Sequence, residues 1–193
     1  MKHRAWIFIA VVIAIIVIAF IIFRFNTKGF VPQEFSEARM NGAKTAQKIV
    51  LLSDSSLITL EEIATLEDIG RTKEALQKVS QELADIATVR EEAIMLASQL
   101  ERMAKLIPKI EPAEARIAAT EAVSAEVALV SRLLSYNDVL LSLFELLKTK
   151  FEGKVIPELA ISTLIERLNK EALAINEFNR VFNDAMDAFD KFF

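Results

Sequence analysis

Apolar residues follow two different patterns along this chain. Near the N-terminus they run without interruption, and the nineteen residues from 5 to 23 include no charged residue, proline or glycine. After residue 33 they recur every three or four positions, which is the spacing of one face of an α-helix. The two patterns predict one uninterrupted apolar helix followed by a series of amphipathic helices.

The uninterrupted stretch has the length of a membrane-spanning helix. As a helix it would extend about 28 Å, close to the roughly 30 Å hydrocarbon thickness of a bilayer. A cleaved signal peptide normally has a shorter apolar region that ends at small residues, whereas this one ends in Ile-Ile-Phe. We therefore expect an uncleaved anchor, with membrane-contacting residues that include Ala5, Trp6, Ile7, Phe8, Ile9, Val11, Ile15, Ile18, Phe20, Ile22 and Phe23.

Basic residues on both sides of the apolar stretch bear on its orientation. Lys2 and Arg4 lie in a basic flank of residues 1–4, and Arg24 and Lys28 follow the stretch at wider spacing. This balance slightly favours an N-terminus inside the cytoplasm and a chain that continues outside it. The predicted location is a single-pass membrane protein with its bulk outside the cytoplasm.

The rest of the chain divides at its prolines and glycines. Gly29 and Pro32 indicate a juxtamembrane linker at residues 24–32, followed by a helical bundle domain at residues 33–193. Within that domain the short breaks at residues 108–112 and 152–157 predict that consecutive helices fold back antiparallel.

Seven-residue repeats predict three long helices, covering residues 71–107, 112–151 and about 157 to the end. Their inward positions are Val79, Ile86, Ala93, Leu100 and Ile107, then Val123, Val130, Asn137, Phe144 and Phe151, then Ile161, Leu168, Ile175, Phe182 and Phe189.

Two shorter helices are expected before residue 70. An apolar stripe from Phe35 to Leu52 fades at the polar residues 53–56, and Thr59 with Glu62 has the form of a capping box that starts a new helix. The predicted fold is therefore all-α: a single N-terminal transmembrane helix, then an elongated antiparallel bundle of three long helices plus shorter N-terminal helices.

The composition excludes most familiar kinds of catalytic and metal-binding site. The chain has no cysteine and a single histidine, His3, so disulfides, thiol catalysis, zinc sites and histidine-dependent di-metal sites are excluded. Its four glycines form no phosphate-binding pattern. We expect no enzyme activity and no catalytic, cofactor-binding or metal-binding residues.

Charge also argues against nucleic acid as a partner. Residues 24–193 carry 21 of the 23 basic residues and all 27 acidic residues, a net charge of −6. A phosphate backbone would be repelled by such a domain.

Three features are candidates for interaction or ligand binding. Ala38, Gly42 and Ala46 put small residues four apart, which suits either close helix packing or association between copies. Phe192 and Phe193 at the C-terminus fit either bundle closure or docking of a partner. Asn137, at an inward position of an apolar helix, either fixes helix register or contacts a ligand.

Two resemblances concern architecture. Residues 70–76 resemble the start of the second helix of a tetratricopeptide repeat, but residues 104–110, one repeat length later, do not match them. An N-terminal anchor followed by long helices is also similar in outline to the LemA type of bacterial envelope protein. That similarity implies an envelope location and carries over no individual residues.

The function that fits these features best is a membrane-anchored scaffold or adaptor at the cell envelope that acts through protein contacts. Its expected partners are the membrane lipid bilayer and an unidentified protein, and further copies of itself in a homo-oligomer are a candidate partner as well. The alternative is a helical bundle that senses a ligand and signals laterally to another membrane protein, for which a polar cavity near Asn137 would be needed. A third and less favoured hypothesis is an enzyme that uses carboxylate and lysine side chains, for which a cleft with converging charged residues would be needed.

Overall fold

The computed structural model describes residues 29–193, apart from the side chains of Asp54 and Glu158. These residues form four long helices: α1 (Gln33–Asp68), α2 (Thr72–Leu106), α3 (Ala113–Phe151) and α4 (Glu158–Asp190). A 3₁₀ turn, Ile107–Lys109, lies between α2 and α3. The predicted all-helical class is confirmed for this part of the chain, while the predicted anchor at residues 5–23 lies outside the described residues.

The two short helices expected before residue 70 are in fact one. Helix α1 runs without a break through the polar residues 53–56 and through Thr59, so the predicted capping box was wrong. Ser56 lies buried in the middle of this helix, and its hydroxyl oxygen is within hydrogen-bonding distance of two acceptors, the Leu52 carbonyl of the same helix at 3.2 Å and the Glu82 carboxylate of α2. Its single proton is therefore satisfied inside the helix pair, and a polar residue is accommodated within α1.

Helices α1 and α2 form an antiparallel hairpin with a constant register. Ion pairs between them join Glu62 to Lys78 near the turn and Lys48 to Glu92 further along the helices. Four of the five inward positions predicted for α2 are buried, with Val79 fully enclosed and Ile86, Ala93 and Leu100 nearly so, whereas Ile107 is half-buried and lies in the 3₁₀ turn after the helix. The seven-residue spacing therefore identified the contact face of α2 correctly.

Two glycines end the helices at one end of the bundle. Gly70 has a φ of 74° and Gly153 a φ of 86°, a backbone conformation that side chains disfavour. In each case the residue after the glycine, the third beyond the helix, closes the last turn: Arg71 N–H donates to the Leu66 carbonyl at 2.8 Å, and Lys154 N–H to the Thr149 carbonyl at 3.3 Å. These bonds satisfy the carbonyl groups that a helix end leaves free.

Helix α3 is the core helix of the bundle. Asn137 and Asp138 on one side contact α2, and Arg132 on another side contacts Glu171 of α4. Among the described helices it is the one that is long and apolar enough to cross a membrane, and half of its most apolar window is buried inside the bundle. Its apolar character matches the need to pack against two neighbouring helices.

The importance of this core can be tested with one pair of matched substitutions. Leu129 is 1% exposed on α3, whereas Leu173 is 68% exposed on α4. Leu129→Ala should lower the free energy of unfolding by about 2–5 kcal/mol because it leaves a cavity. Leu173→Ala should change it by less than about 0.5 kcal/mol. Urea unfolding followed by circular dichroism measures both, and equal losses would contradict the packing described here.

Candidate functional site

The bundle has two distinct ends. We call the end that contains Phe30, Glu111 and the last turn of α4 the base, and the end that contains residues 69–71 and 152–157 the tip. At the base, the backbone of Phe30 pairs with that of Glu111 through two hydrogen bonds of 3.0 and 2.9 Å. The last part of the predicted linker is thereby attached to the connection between α2 and α3.

Aromatic side chains close the base. The ring of Phe189 on α4 lies 5.6 Å from that of Phe35 on α1 and 5.0 Å from that of Phe193, measured between centroids. Phe193 also lies directly against Gly29, where a Cβ atom would collide with its ring and lie 2.6 Å from the Glu111 carbonyl oxygen. Only glycine fits at this position without a shift of its neighbours.

An ion pair reinforces the contact between the first and last helices. Both guanidinium nitrogens of Arg39 donate to the carboxylate of Asp190, at 2.7 and 2.8 Å, and the two side chains are largely shielded from solvent. A bidentate pair of this kind fixes orientation as well as distance. It joins two helices that are 151 residues apart in sequence.

The C-terminal phenylalanines belong to this closure. Phe192 and Phe193 are both half-buried and pack against the bundle core. Of the two roles considered for them, the geometry matches bundle closure.

The small residues of α1 lie on its buried face. Ala38 is fully buried and Ala46 nearly so, and a Cβ atom on Gly42 would meet Leu96 of α2 at 3.5 Å and Gln99 at 3.7 Å. The three residues therefore serve close packing between α1 and α2 within one molecule.

The side chain of Asn137 makes a hydrogen bond inside the bundle. Its side-chain nitrogen donates to the backbone carbonyl of Ile86 on α2 at 3.4 Å, and the residue is 5% exposed. The contact links the middle of α3 to the middle of α2, as expected of a residue that fixes register.

A buried carboxyl group was not predicted from the sequence. Glu126 on α3 is 3% exposed, and its Oε2 atom has no hydrogen-bond partner among the described residues. Burial raises its pKa to about 7, because transfer out of water disfavours the charged form. In the sequence, Glu126 lies seven residues after Ala119 and seven before Leu133, and both of these residues are buried. This spacing could have placed Glu126 on the buried face of α3.

Three large apolar side chains are exposed at the tip, and Phe30 at the base is 59% exposed. Val155 is 99% exposed, Leu159 76% and Ile69 60%. An open pocket of about 520 Å³ lies beside it on the α1–α2 hairpin, between Ile58, Leu66 and Ile69 on one helix and Glu74 and Lys78 on the other.

Within the described part of the chain, no group of three or more histidine, cysteine, aspartate or glutamate side chains is arranged to hold a metal ion. No protein-family model, curated protein or solved structure matches this chain.

The role of Phe193 in closing the base can be tested by hydrogen exchange. Phe193→Ala removes a ring contact worth about 1 kcal/mol beyond its buried area. Amide exchange should accelerate in the last turns of α4 and the first turns of α1, with the tip unchanged. Lys191→Ala, a neighbouring exposed residue, is the control. Uniform acceleration over all four helices, or none, would contradict this assignment.

Glu126 should make stability depend on pH. The folded state keeps the proton up to a pKa of about 7, whereas the unfolded chain releases it near 4.5. Stability present below about pH 4.5 should therefore be lost progressively as pH rises to about 7, by about 3 kcal/mol in all.

Glu126→Gln removes this titration. The variant should be the more stable protein at about pH 8, and its free energy of unfolding should fall less steeply with pH. Glu121→Gln, on the exposed face of the same helix, should follow the wild type. Urea unfolding between about pH 5 and pH 8 makes the comparison, and parallel curves for wild type and Glu126→Gln would refute a buried, protonated Glu126.

Proposed function

We propose that this protein is a membrane-anchored helical scaffold or adaptor, with a single N-terminal span and its bundle on the outer side of the membrane, at the cell envelope. It acts through protein contacts and not through catalysis. The observation that carries the proposal is the closed base, which fixes the bundle at the point where the chain from residues 5–23 reaches it.

The tether between anchor and bundle is short. Six residues separate Phe23 from Phe30, whose backbone is paired with Glu111. Even fully extended, this segment spans at most about 25 Å. The base is therefore held close to the membrane surface, and its local concentration for neighbouring membrane proteins is raised accordingly.

The length of the bundle sets how far it reaches. Helix α3 has 39 residues, so it extends about 58 Å. The exposed Val155 and Leu159 lie at the tip, the end away from the attachment. This arrangement suits a spacer that presents an apolar contact surface at a set distance from its anchor.

The ligand-sensing alternative receives less support. Asn137, the polar group proposed to line a cavity, donates to the Ile86 carbonyl. The open pocket beside the tip is lined by residues of α1 and α2 and does not include Asn137.

Anchoring can be tested by alkaline extraction of membranes. The full-length protein should stay in the membrane pellet. Val11→Arg combined with Ile15→Arg should release it, because each arginine costs about 3 kcal/mol at the centre of a span. Val11→Leu combined with Ile15→Leu is the matched control and should behave as wild type. Release of the wild type by alkali would overturn the proposal.

Proximity labelling from the two ends of the bundle reports the membrane orientation and the neighbouring proteins. A proximity-labelling enzyme fused after Phe193 reports neighbours of the base, and one inserted in residues 152–157 reports neighbours of the tip. We expect labelled envelope proteins from both positions, with different sets at each. Labelling of cytoplasmic proteins alone would reverse the proposed orientation.

A further inference from the structure

The outer face of α1, extended by the residue that follows its last turn, carries four exposed apolar side chains in a single line. Met40, Leu51, Ile58 and Ile69 are 41%, 63%, 58% and 60% exposed. Their spacings of 11, 7 and 11 residues, at about 100° per residue, keep all four within about 20° of one direction. The buried Ala38, Ile49 and Ile63 lie on the opposite side of the helix. We call these four residues the α1 stripe.

We propose that the α1 stripe binds the α1 stripe of a second copy of this chain, with the two helices antiparallel. The spacing of 11, 7 and 11 residues is symmetric about its midpoint. A two-fold axis between residues 54 and 55 brings Met40 opposite Ile69 of the second copy and Leu51 opposite its Ile58. Each contact then occurs twice, as an isologous interface requires. The pairing uses the bundle alone and does not depend on membrane anchoring.

The charges of α1 favour this orientation. Between Met40 and Ile69, the basic residues Lys44 and Lys48 lie in the first half and Glu61, Glu62, Glu67 and Asp68 in the second, with Asp54 at the midpoint. The same two-fold axis sets Lys44 on the same flank as Glu62 of the second copy, less than one helical turn apart. A parallel pair in register would bring like charges together instead. Complementary charges of this kind determine which of two orientations forms.

The open pocket on the α1–α2 hairpin can accommodate side chains of the second copy. Ile58, Leu66 and Ile69 form its apolar wall, and Glu61, Glu62 and Glu74 its acidic rim. The two-fold axis puts residues 40–51 of the second copy at this level. A methionine side chain adapts its shape to such a surface, so Met40 of the second copy fits the apolar wall while Lys44 faces the acidic rim.

The absence of native cysteine allows a direct test of this register. Leu51→Cys and Ile58→Cys variants of the full-length chain, one carrying a size tag, are mixed in detergent and oxidised. Cross-linking between the two different variants should dominate. Each variant alone should cross-link poorly, because residue 51 and its own copy lie about 10 Å apart along the axis, too far for a disulfide.

The control is Leu173→Cys, also on an exposed face, which measures the disulfide cross-linking produced by random collision. Self-cross-linking of Leu51→Cys at the level of the mixture would refute the antiparallel register. A mixture no more cross-linked than Leu173→Cys would refute association through this face. Neither result bears on extraction from membranes, so the two proposals fail separately.

Exchange of the charges at Lys44 and Glu62 tests the proposed antiparallel pair independently of the cysteine variants. Lys44→Glu should reduce cross-linking in the mixture by about tenfold, because two symmetric contacts change from attraction to repulsion. Adding Glu62→Lys in the same chain should restore it. Circular dichroism checks that each variant keeps its helices. Unchanged cross-linking in Lys44→Glu, or no recovery in the double variant, would exclude the proposed charge pairing.

Discussion

The architecture depends on one constraint, the need to cover the apolar surface of α3 on more than one side. Leu129, Leu140 and Phe144 are almost completely buried on this helix. A single antiparallel partner leaves part of such a helix in water, at a cost of about 25 cal/mol for every Å² of apolar surface. Helices α2 and α4 therefore pack against α3 from different sides, and α1 packs against α2 in turn.

Closure of the base follows from that order. Helices α1 and α4 are the two outer members of the sequence, and their first and last turns meet through Phe35, Phe189 and the pair of Arg39 with Asp190. Both ends of the described chain are thus held at one end of the bundle. The tip is formed by two tight turns at Gly70 and Gly153, and its exposed apolar residues have no such closure.

Local sequence signals predicted the long helices and missed long-range partners. The seam of α2 and the turns at Gly70 and Gly153 follow from spacing and from glycine, which act within a few residues. The buried Ser56 in the middle of α1 has an acceptor in Glu82, which lies 26 residues away in the sequence. Burial of Glu126 depends on neighbours from other helices. Phe193 was noted as a candidate, but its contact with Gly29 joins opposite ends of the described chain.

The two proposals together restrict how the molecules lie at a membrane. If α1 pairs antiparallel about residues 54 and 55, the two bases are separated by about 65 Å along the shared axis. A tether of at most about 25 Å allows both anchors to enter one membrane only when the paired bundles lie along its surface. Upright bundles would instead pair between two facing membranes, with the acidic residues 61–68 of each α1 near Lys44 and Lys48 of the other. The same contact between α1 helices is therefore compatible with a flat layer on one membrane and with a bridge between two membranes, and excludes upright dimers on a single membrane.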